Sequence, residues 1–298
     1  MAITFHQYRP EPLFGEDYVK VREFFLRLDN HNFPFGRWDW MVTHPCLDDT
    51  VLDRIGLWEE DGRVVAVATY ESELGRAYLL MDAAYRHLGE ELLAHARRAL
   101  SRDDRVAVLI LDGDTQMQDI AAKHGFFATQ EKEHDSVFSI DQTSLHYTLP
   151  QGFHITSMAE TYDPCRYDEG LWKGFNHELN GEGAYDPDKR DLPLIDRSFR
   201  RPNVNLDIKI AVVSPAGEFA AYCGMWHDPA TQNALVEPVA TIPEYRRMGL
   251  GRAAVLEGIR RCGLLGAKRA FVGSSQQFYY SIGFRPYATS TWWEQVKK

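Results

Sequence analysis

The sequence predicts an α+β fold in which one sheet-and-helix domain occurs twice in tandem. Three observations lead there. The chain has 298 residues, enough for two domains that each bury a core. Short apolar strands alternate with helical patterns. Finally, Tyr85-Arg86-His87-Leu88-Gly89-Glu90-Glu91 is echoed 160 positions later by Tyr245-Arg246-Arg247-Met248-Gly249-Leu250-Gly251. Each copy leads into a helical pattern ending in a basic pair, Arg97-Arg98 and Arg260-Arg261. His124-Gly125-Phe126 and Ile282-Gly283-Phe284 repeat at an offset of 158. Proline and glycine break the apolar pattern at Leu149-Pro150-Gln151-Gly152, dividing the chain into domains 1–148 and 149–298.

Composition narrows the function. With 44% hydrophobic and 26% charged residues the chain reads as globular, not disordered. No apolar run is long enough to span a membrane, and the N-terminus lacks a signal-peptide pattern. Cys46, Cys165, Cys223 and Cys262 are widely spaced and no histidines cluster, which argues against disulfides and metal and for a cytoplasmic protein. A net charge of −10 disfavours nucleic acid. Against that background, Arg246 to Arg269 holds seven basic residues and one acidic, a local patch suited to a phosphorylated cofactor or, more plainly, a solvated helix face.

The second half reads as follows. Residues 153–158 form a strand and 164–178 a helix with Leu171 and Phe175 at helical spacing. The polar stretch 179–205 is loop or short helix, and strands follow at 207–213, 219–227 and 234–241. Pro238 cannot donate to a ladder, so the third of these strands lies at an edge, bulges, or parts from its neighbour. A helix over 249–262 buries Val255, Ile259 and Cys262; a short strand 269–273, a short helix ending at Gly283-Phe284, and a last strand through Trp292-Trp293 complete the half.

Arg246-x-x-Gly249-x-Gly251 carries the chemistry. Glycines at a helix mouth aim several N–H groups at one point, where the helix dipole also favours an anion; Arg246, Arg247 and Arg252 add charged donors. Gly249-x-Gly251-x-x-Ala254 also fits a dinucleotide fingerprint, but no Asp or Glu lies between Glu257 and Glu294 to bind a ribose. A Walker loop is absent.

These residues, together with Phe278-Tyr279-Tyr280-Ser281-Ile282-Gly283-Phe284, resemble the GNAT superfamily of acetyl-CoA-dependent N-acetyltransferases. The resemblance spans 150–298, and residues 1–148 look like a degenerate second copy. It implies a mixed, strongly twisted sheet whose central strands splay to admit the thioester of acetyl-CoA. Val239, Ala240 and Thr241 would meet the pantetheine arm, and the amides from Arg247 through Met248, Gly249, Leu250 and Gly251 to Arg252 the pyrophosphate. Arg246 would add charge. Where the family often has Asn after its fifth strand this chain has Gly273-Ser274-Ser275-Gln276, which puts Ser274 at the cofactor. Tyr279, four residues before Gly283, stands where the family commonly places a general acid. Alternation from Val239 and Thr241 puts Glu237 on their face, as a base, as a contact to a cationic amine, or as a solvated carboxylate.

In the first half Glu91 replaces the second loop glycine and Ala121 stands at the position of Tyr279. Carboxylates there would repel pyrophosphate and occupy its donors, so that half is expected to be structural. The acceptor is expected to be a small-molecule or peptide amine. Glu178, Glu182, Asp186 and Asp188 lean toward a cationic one. His177, Trp226 and His227 are weaker candidates to line its cleft. A non-catalytic acyl-CoA-binding or regulatory module is the competing reading.

Overall fold

The computed structural model describes residues 2–28, 33–45, 47–141 and 145–296; Cys46 lies outside them. The chain folds into two units. The first comprises Met1–Ser136, Gly273–Ser275 and Pro286–Lys298, the second Val137–Val272 and Gln276–Arg285.

The same order of element types runs twice along the chain. The first pass is β1 (Thr4–Gln7), α1 (Glu16–Leu28), α2 (Phe35–Met41), β2 (Gly56–Glu60), β3 (Arg63–Thr69), β4 (Arg76–Met81), α3 (Gly89–Ala99), β5 (Arg105–Leu111), α4 (Thr115–Lys123) and β6 (Phe127–Ser139). The second is β7 (His154–Ser157), α5 (Pro164–Gly174), α6 (Leu192–Phe199), β8 (Lys209–Val213), β9 (Phe219–His227), β10 (Asn233–Thr241), α7 (Leu250–Leu264), β11 (Arg269–Val272), α8 (Gln277–Ile282) and β12 (Arg285–Val296). The internal repeat in sequence is therefore a repeat of structure.

In the second unit the strand order is β7-β8-β9-β10-β11, antiparallel except for the parallel pair β10–β11. Helix α7 packs on β8, β9 and β10. Val255, Ile259 and Cys262 are fully buried, as their spacing predicts. Close approach depends on Gly258, where a Cβ would meet Met225 Cγ at 2.7 Å. On the other face α5 packs against β9 and β10. Asp163 caps its start by accepting from the Arg166 amide at 2.9 Å. The helix ends at Gly174, short of the predicted 178, and Asn176 then takes φ +68°. Within the polar stretch Asp191 caps α6, whose Ile195 and Phe199 are buried.

The first unit has the order β1-β2-β3-β4-β5-β12, with β4–β5 parallel. Its last strand departs from the expected boundary. β12 pairs antiparallel with β5, from Ser290 opposite Leu111 to Val296 opposite Arg105. Trp292 is 1% exposed in this unit's core, its ring edge-on to Tyr78 at 5.5 Å. Alternation explains why Trp292 is buried and Trp293 only partly so; it does not say which sheet a strand joins.

The degenerate loop also differs from expectation in detail. Glu91 does not occupy the amides at the start of α3: its carboxylate accepts from Trp58 Nε1 at 3.1 Å, and no side chain caps that helix. Gly89 has φ −52°, an ordinary helical value. A Cβ there would meet Ile120 Cδ1 at 3.0 Å and Met117 Sδ at 3.3 Å, so α4 side chains already pack over the turn.

Candidate active site

The site begins at an irregularity in β10. Val236 lies opposite Met225 and Val239 opposite Cys223, so β10 carries one residue more than β9 across this step, a bulge at Glu237-Pro238 with a cis peptide bond. Gly224 makes room for it: a Cβ there would sit 2.4 Å from the Glu237 carbonyl oxygen. That oxygen accepts from Trp226 Nε1 at 3.0 Å. Pairing between β10 and β11 runs only from Asn233 opposite Arg269 to Leu235 opposite Phe271. Of the three fates open to a strand with a central proline, β10 thus adopts two, bulging and parting from a neighbour, and it is not an edge.

The bulge corrects the placement of Glu237. Directly opposed residues share a face, so Val236 and Val239 point the same way, and counting back by twos from Val239 across the extra residue fails. Glu237 does not line the cavity described below. Its carboxylate nonetheless acts electrostatically on Tyr167, Cys223 and Tyr279.

Beyond β10 the chain makes a 3₁₀ turn at Pro243–Tyr245 and then the loop. Arg247 has φ +65° and Gly249 φ +83°. Glycine is at ease there and arginine is not. Gly249 is the N-cap of α7, with no side-chain cap, and the first intrahelical bond of this turn runs from the Ala253 amide to the Gly249 carbonyl at 3.0 Å. The amides of Leu250, Gly251 and Arg252 are left for a ligand or solvent. Arg247 makes no side-chain hydrogen bond or ion pair among the described residues. Arg252 Nη1 donates to the Ser281 carbonyl at 3.2 Å. Gly251 serves packing as well: a Cβ would lie 2.8 Å from Thr241 Oγ1 and 3.3 Å from the Phe278 ring.

A cavity of about 790 Å³ opens beside this helix mouth. Val239, Ala240 and Thr241 form one wall, and Arg246, Arg247, Gly249, Leu250, Gly251 and Arg252 line the loop side. Tyr279 also lines it. Three predicted positions do not: Glu237, Met248, which is 40% exposed, and Ser274. Ser274 groups with the first unit, where its carbonyl accepts from Ser136 Oγ at 2.6 Å. Gln276 lines the cavity in its stead, with Phe278 and, from the end of α5, Gly174, Phe175 and Asn176. Phe278 was assigned no role from sequence, although it stands beside Tyr279 in the same motif. The α5 residues were not legible, because no local motif marks the end of a helix that another segment approaches.

Tyr279 is held by its motif. Both the Gly283 amide and the Phe284 amide donate to its carbonyl, at 3.2 and 3.1 Å, and Gly283 takes φ +124° to allow this. Phe278 and Phe284 flank its ring at 5.0 and 5.5 Å. The side chain is 7% exposed, and its hydroxyl has no hydrogen-bond partner among the described residues. Burial, reinforced by Cys223 and Glu237, raises the phenol well above its usual pKa, so it keeps its proton at neutral pH.

The basic patch is partly neutralised. Glu257, 3% exposed, accepts from Arg260 at 2.7 Å, Arg261 at 2.8 Å and Tyr147 at 2.9 Å. Three carboxylates of the acidic stretch are likewise engaged within their own segment. Glu178 accepts from the Tyr185 amide at 2.8 Å, Glu182 pairs with His177 at 2.8 Å, and Asp186 pairs with Lys189 at 3.0 Å. Among the other residues considered for a cleft, His227 Nδ1 bonds the Asn233 carbonyl at 2.9 Å, and Lys209 Nζ lies 3.3 Å from the Trp226 ring centroid.

A family model described as "Acetyltransferase (GNAT) family" matches residues 170–284, which span β10, the loop, α7 and Tyr279. These residues form a GNAT domain. Solved structures with the same overall fold include a tandem GNAT protein from the clavulanic acid biosynthesis pathway, 16% identical, covering 99% of this chain and 98% of its own, with a TM-score of 0.62. A GCN5-related N-acetyltransferase from Sphaerobacter thermophilus is 14% identical over 99% of this chain and 95% of its own, TM-score 0.60. A GNAT-family acetyltransferase from Colwellia psychrerythraea is 11% identical over 100% of both chains, TM-score 0.54. No curated protein matches the chain. Among the described residues no group of three or more His, Cys, Asp or Glu is arranged to hold a metal, and no helix is long and apolar enough to cross a membrane.

Proposed function

We propose that the chain is an N-acetyltransferase that moves the acetyl group of acetyl-CoA to a primary amine, with chemistry confined to the second unit. One observation carries the reading: an uncapped helix mouth, with left-handed Gly249 and an Arg247 unpaired among the described residues, opens beside the stretch of β10 that β11 does not pair and the free hydroxyl of Tyr279. The residues fit the donor. The amides of Leu250, Gly251 and Arg252 and the Arg247 and Arg252 side chains would hold the diphosphate. Backbone groups of Val239 and Thr241 would pair with the amides of the pantetheine arm, and a strand amide would polarise the thioester carbonyl.

The amine attacks the thioester carbon, the C–S bond breaks, and one amine proton must leave as the thiolate gains one. Tyr279 is the general acid of this reading. Its raised pKa makes complete transfer to an ordinary thiolate uphill, so its contribution is a hydrogen bond to sulfur that strengthens as charge develops, with the proton moving late. Glu237 is the candidate sink for the amine proton, reached through water, because its side chain does not line the cavity. The first unit is read as non-catalytic: Met117 and Ile120 pack over its turn, and fully buried Ala121 stands where Tyr279 would.

The test is thiol release from acetyl-CoA over a panel comprising an amino sugar, a polyamine and a peptide N-terminus, with acetyl-CoA binding followed by calorimetry. Turnover on one of them is expected. Binding without turnover on any amine would leave an acyl-CoA-binding module, and no binding would remove the reading altogether.

A further inference from the structure

Arg246 opens the loop into α7, yet its guanidinium is already engaged. Nε donates to the Thr241 carbonyl at 3.1 Å, and Nη2 donates to the Gly174 carbonyl at 2.9 Å and to Asn176 Oδ1 at 2.6 Å. Gly174 ends α5, where carbonyls lack intrahelical partners and a basic side chain is a common substitute. Asn176 is the first residue beyond α5 in the left-handed region. From it hangs a segment closed by its own bonds: the Asn180 amide donates to the Asn176 carbonyl at 2.8 Å, the Glu182 amide to the His177 carbonyl at 3.0 Å, and Trp172 Nε1 to the Gly183 carbonyl at 3.2 Å. His177 stacks on Trp172 at 4.4 Å, and the Arg190 guanidinium lies 4.8 Å from the same ring centroid. The root of this segment, Phe175 and Asn176, lines the same cavity as Arg247 and Gly249, and Phe175 is 45% exposed.

We propose that Arg246 is a positioning residue and not a phosphate ligand: its bonds to Gly174 and Asn176 tie the root of the 175–185 segment to the loop before α7, the bond to Thr241 fixes the guanidinium between them, and together they set the edge of the cavity that the acceptor amine must pass. Two neighbouring arginines thereby divide the work. Arg247, with no partner among the described residues, meets the anion, while Arg246 joins the donor-binding loop to the segment opposite it. The consequence for the amine rests on the acetyl-CoA reading above; the lock itself does not.

The experiment compares wild type, R246A, R247A, N176G and R246A/N176G. In N176G the positive φ is tolerated but the Oδ1 acceptor is gone. Without CoA, R246A and N176G each speed hydrogen exchange at the Asn180 and Glu182 amides by about tenfold, and the double variant is no faster than either single one. R246A leaves the Kd for CoA within about twofold and R247A weakens it by about fivefold, the loss of one exposed charge contact. On the panel amine of highest turnover, R246A raises KM for the amine while KM for acetyl-CoA is unchanged. The proposal is overturned if R246A weakens CoA as much as R247A with exchange at wild-type rates, or if the effects of R246A and N176G simply add. Because the exchange measurements need no CoA, a chain that binds none would sink the acetyl-CoA reading while the lock is still tested.

Discussion

At residue 247 the backbone adopts φ +65° with an arginine that pairs with nothing among the described residues. A left-handed conformation costs an ordinary side chain about 1–2 kcal/mol, and no contact in the fold offsets it. Arg247→Gly is therefore expected to stabilise the chain by up to ~1 kcal/mol, less the backbone entropy glycine loses on folding, while weakening acetyl-CoA binding. Melting with and without acetyl-CoA reads both effects at once; a variant that melts lower and binds as tightly would refute the assignment. Tyr279→Phe keeps the ring in its cage and removes only the hydroxyl. Turnover should fall about 10²–10⁴-fold, the usual range for a general acid, with binding nearly unchanged. Since the phenol is raised above its normal range, the wild-type rate should climb with pH as the amine deprotonates and show no alkaline fall below pH 10. Elsewhere, burial pushes Asp135 up to about 7 against the pull of Arg37, with Glu133 adding to the rise. The fold then holds a proton that the unfolded chain releases near pH 4, so this group's stabilising contribution is complete in acid and disappears as pH rises through 7. Asp135→Asn should gain roughly 1–2 kcal/mol at pH 8, discounted for partial exposure, and nothing at pH 4. Parallel melts at the two pH values check this.

Helix α7 is the element on which the site depends, and its one acidic residue is its anchor. Burial alone would raise Glu257, but hydrogen bonds from Arg260, Arg261 and Tyr147 outweigh it and hold the carboxyl at about 2. A carboxyl depressed in the fold stabilises above its unfolded pKa and loses that contribution as pH falls from about 4.5 to 2. Glu257→Gln should cost ~2–3 kcal/mol at pH 7 and flatten the acid limb of the stability curve between those values, measured by urea unfolding. How far the sequence reveals such an element depends on what the feature needs. Pro238 announced the bulge because a missing donor has few outlets in a sheet, and Gly283-Phe284 announced the end of the helix that carries Tyr279 because only glycine takes φ +124° easily. Glu237 was misplaced because the inserted residue that makes the bulge also ends the alternation used to count along it. Ser274 was misplaced because spacing after β11 does not tell a three-residue turn which way to go. In the acidic stretch Glu178, Glu182 and Asp186 bond within their own segment, a choice of partners that composition does not record.

At the scale of the molecule, the strand that ends the chain completes the sheet of the unit that begins it. The repeat predicted two domains; the position of β12 depends on pairing between strands nearly two hundred residues apart, which no local pattern encodes. Trp292 is the test of that arrangement. It is a fully buried side chain of the first unit's core, edge-on to Tyr78 with the Arg76 guanidinium 4.6 Å from its ring centroid. Trp292→Ala should cost about 3–5 kcal/mol, the usual penalty for emptying so large a core position. If β12 belongs energetically to the first unit, the loss falls there. Hydrogen exchange should accelerate first at Ala77 and Val108, which face one another across β4 and β5, while Cys223 and Ala240 in the second unit keep more of their protection. Acetyl-CoA, binding the second unit, should restore protection at Cys223 and Ala240 and leave Ala77 and Val108 exchanging fast. The opposite order, with the second unit opening first in Trp292→Ala, would mean that the last strand supports the domain in which its sequence lies, as a simple reading of the repeat would have it.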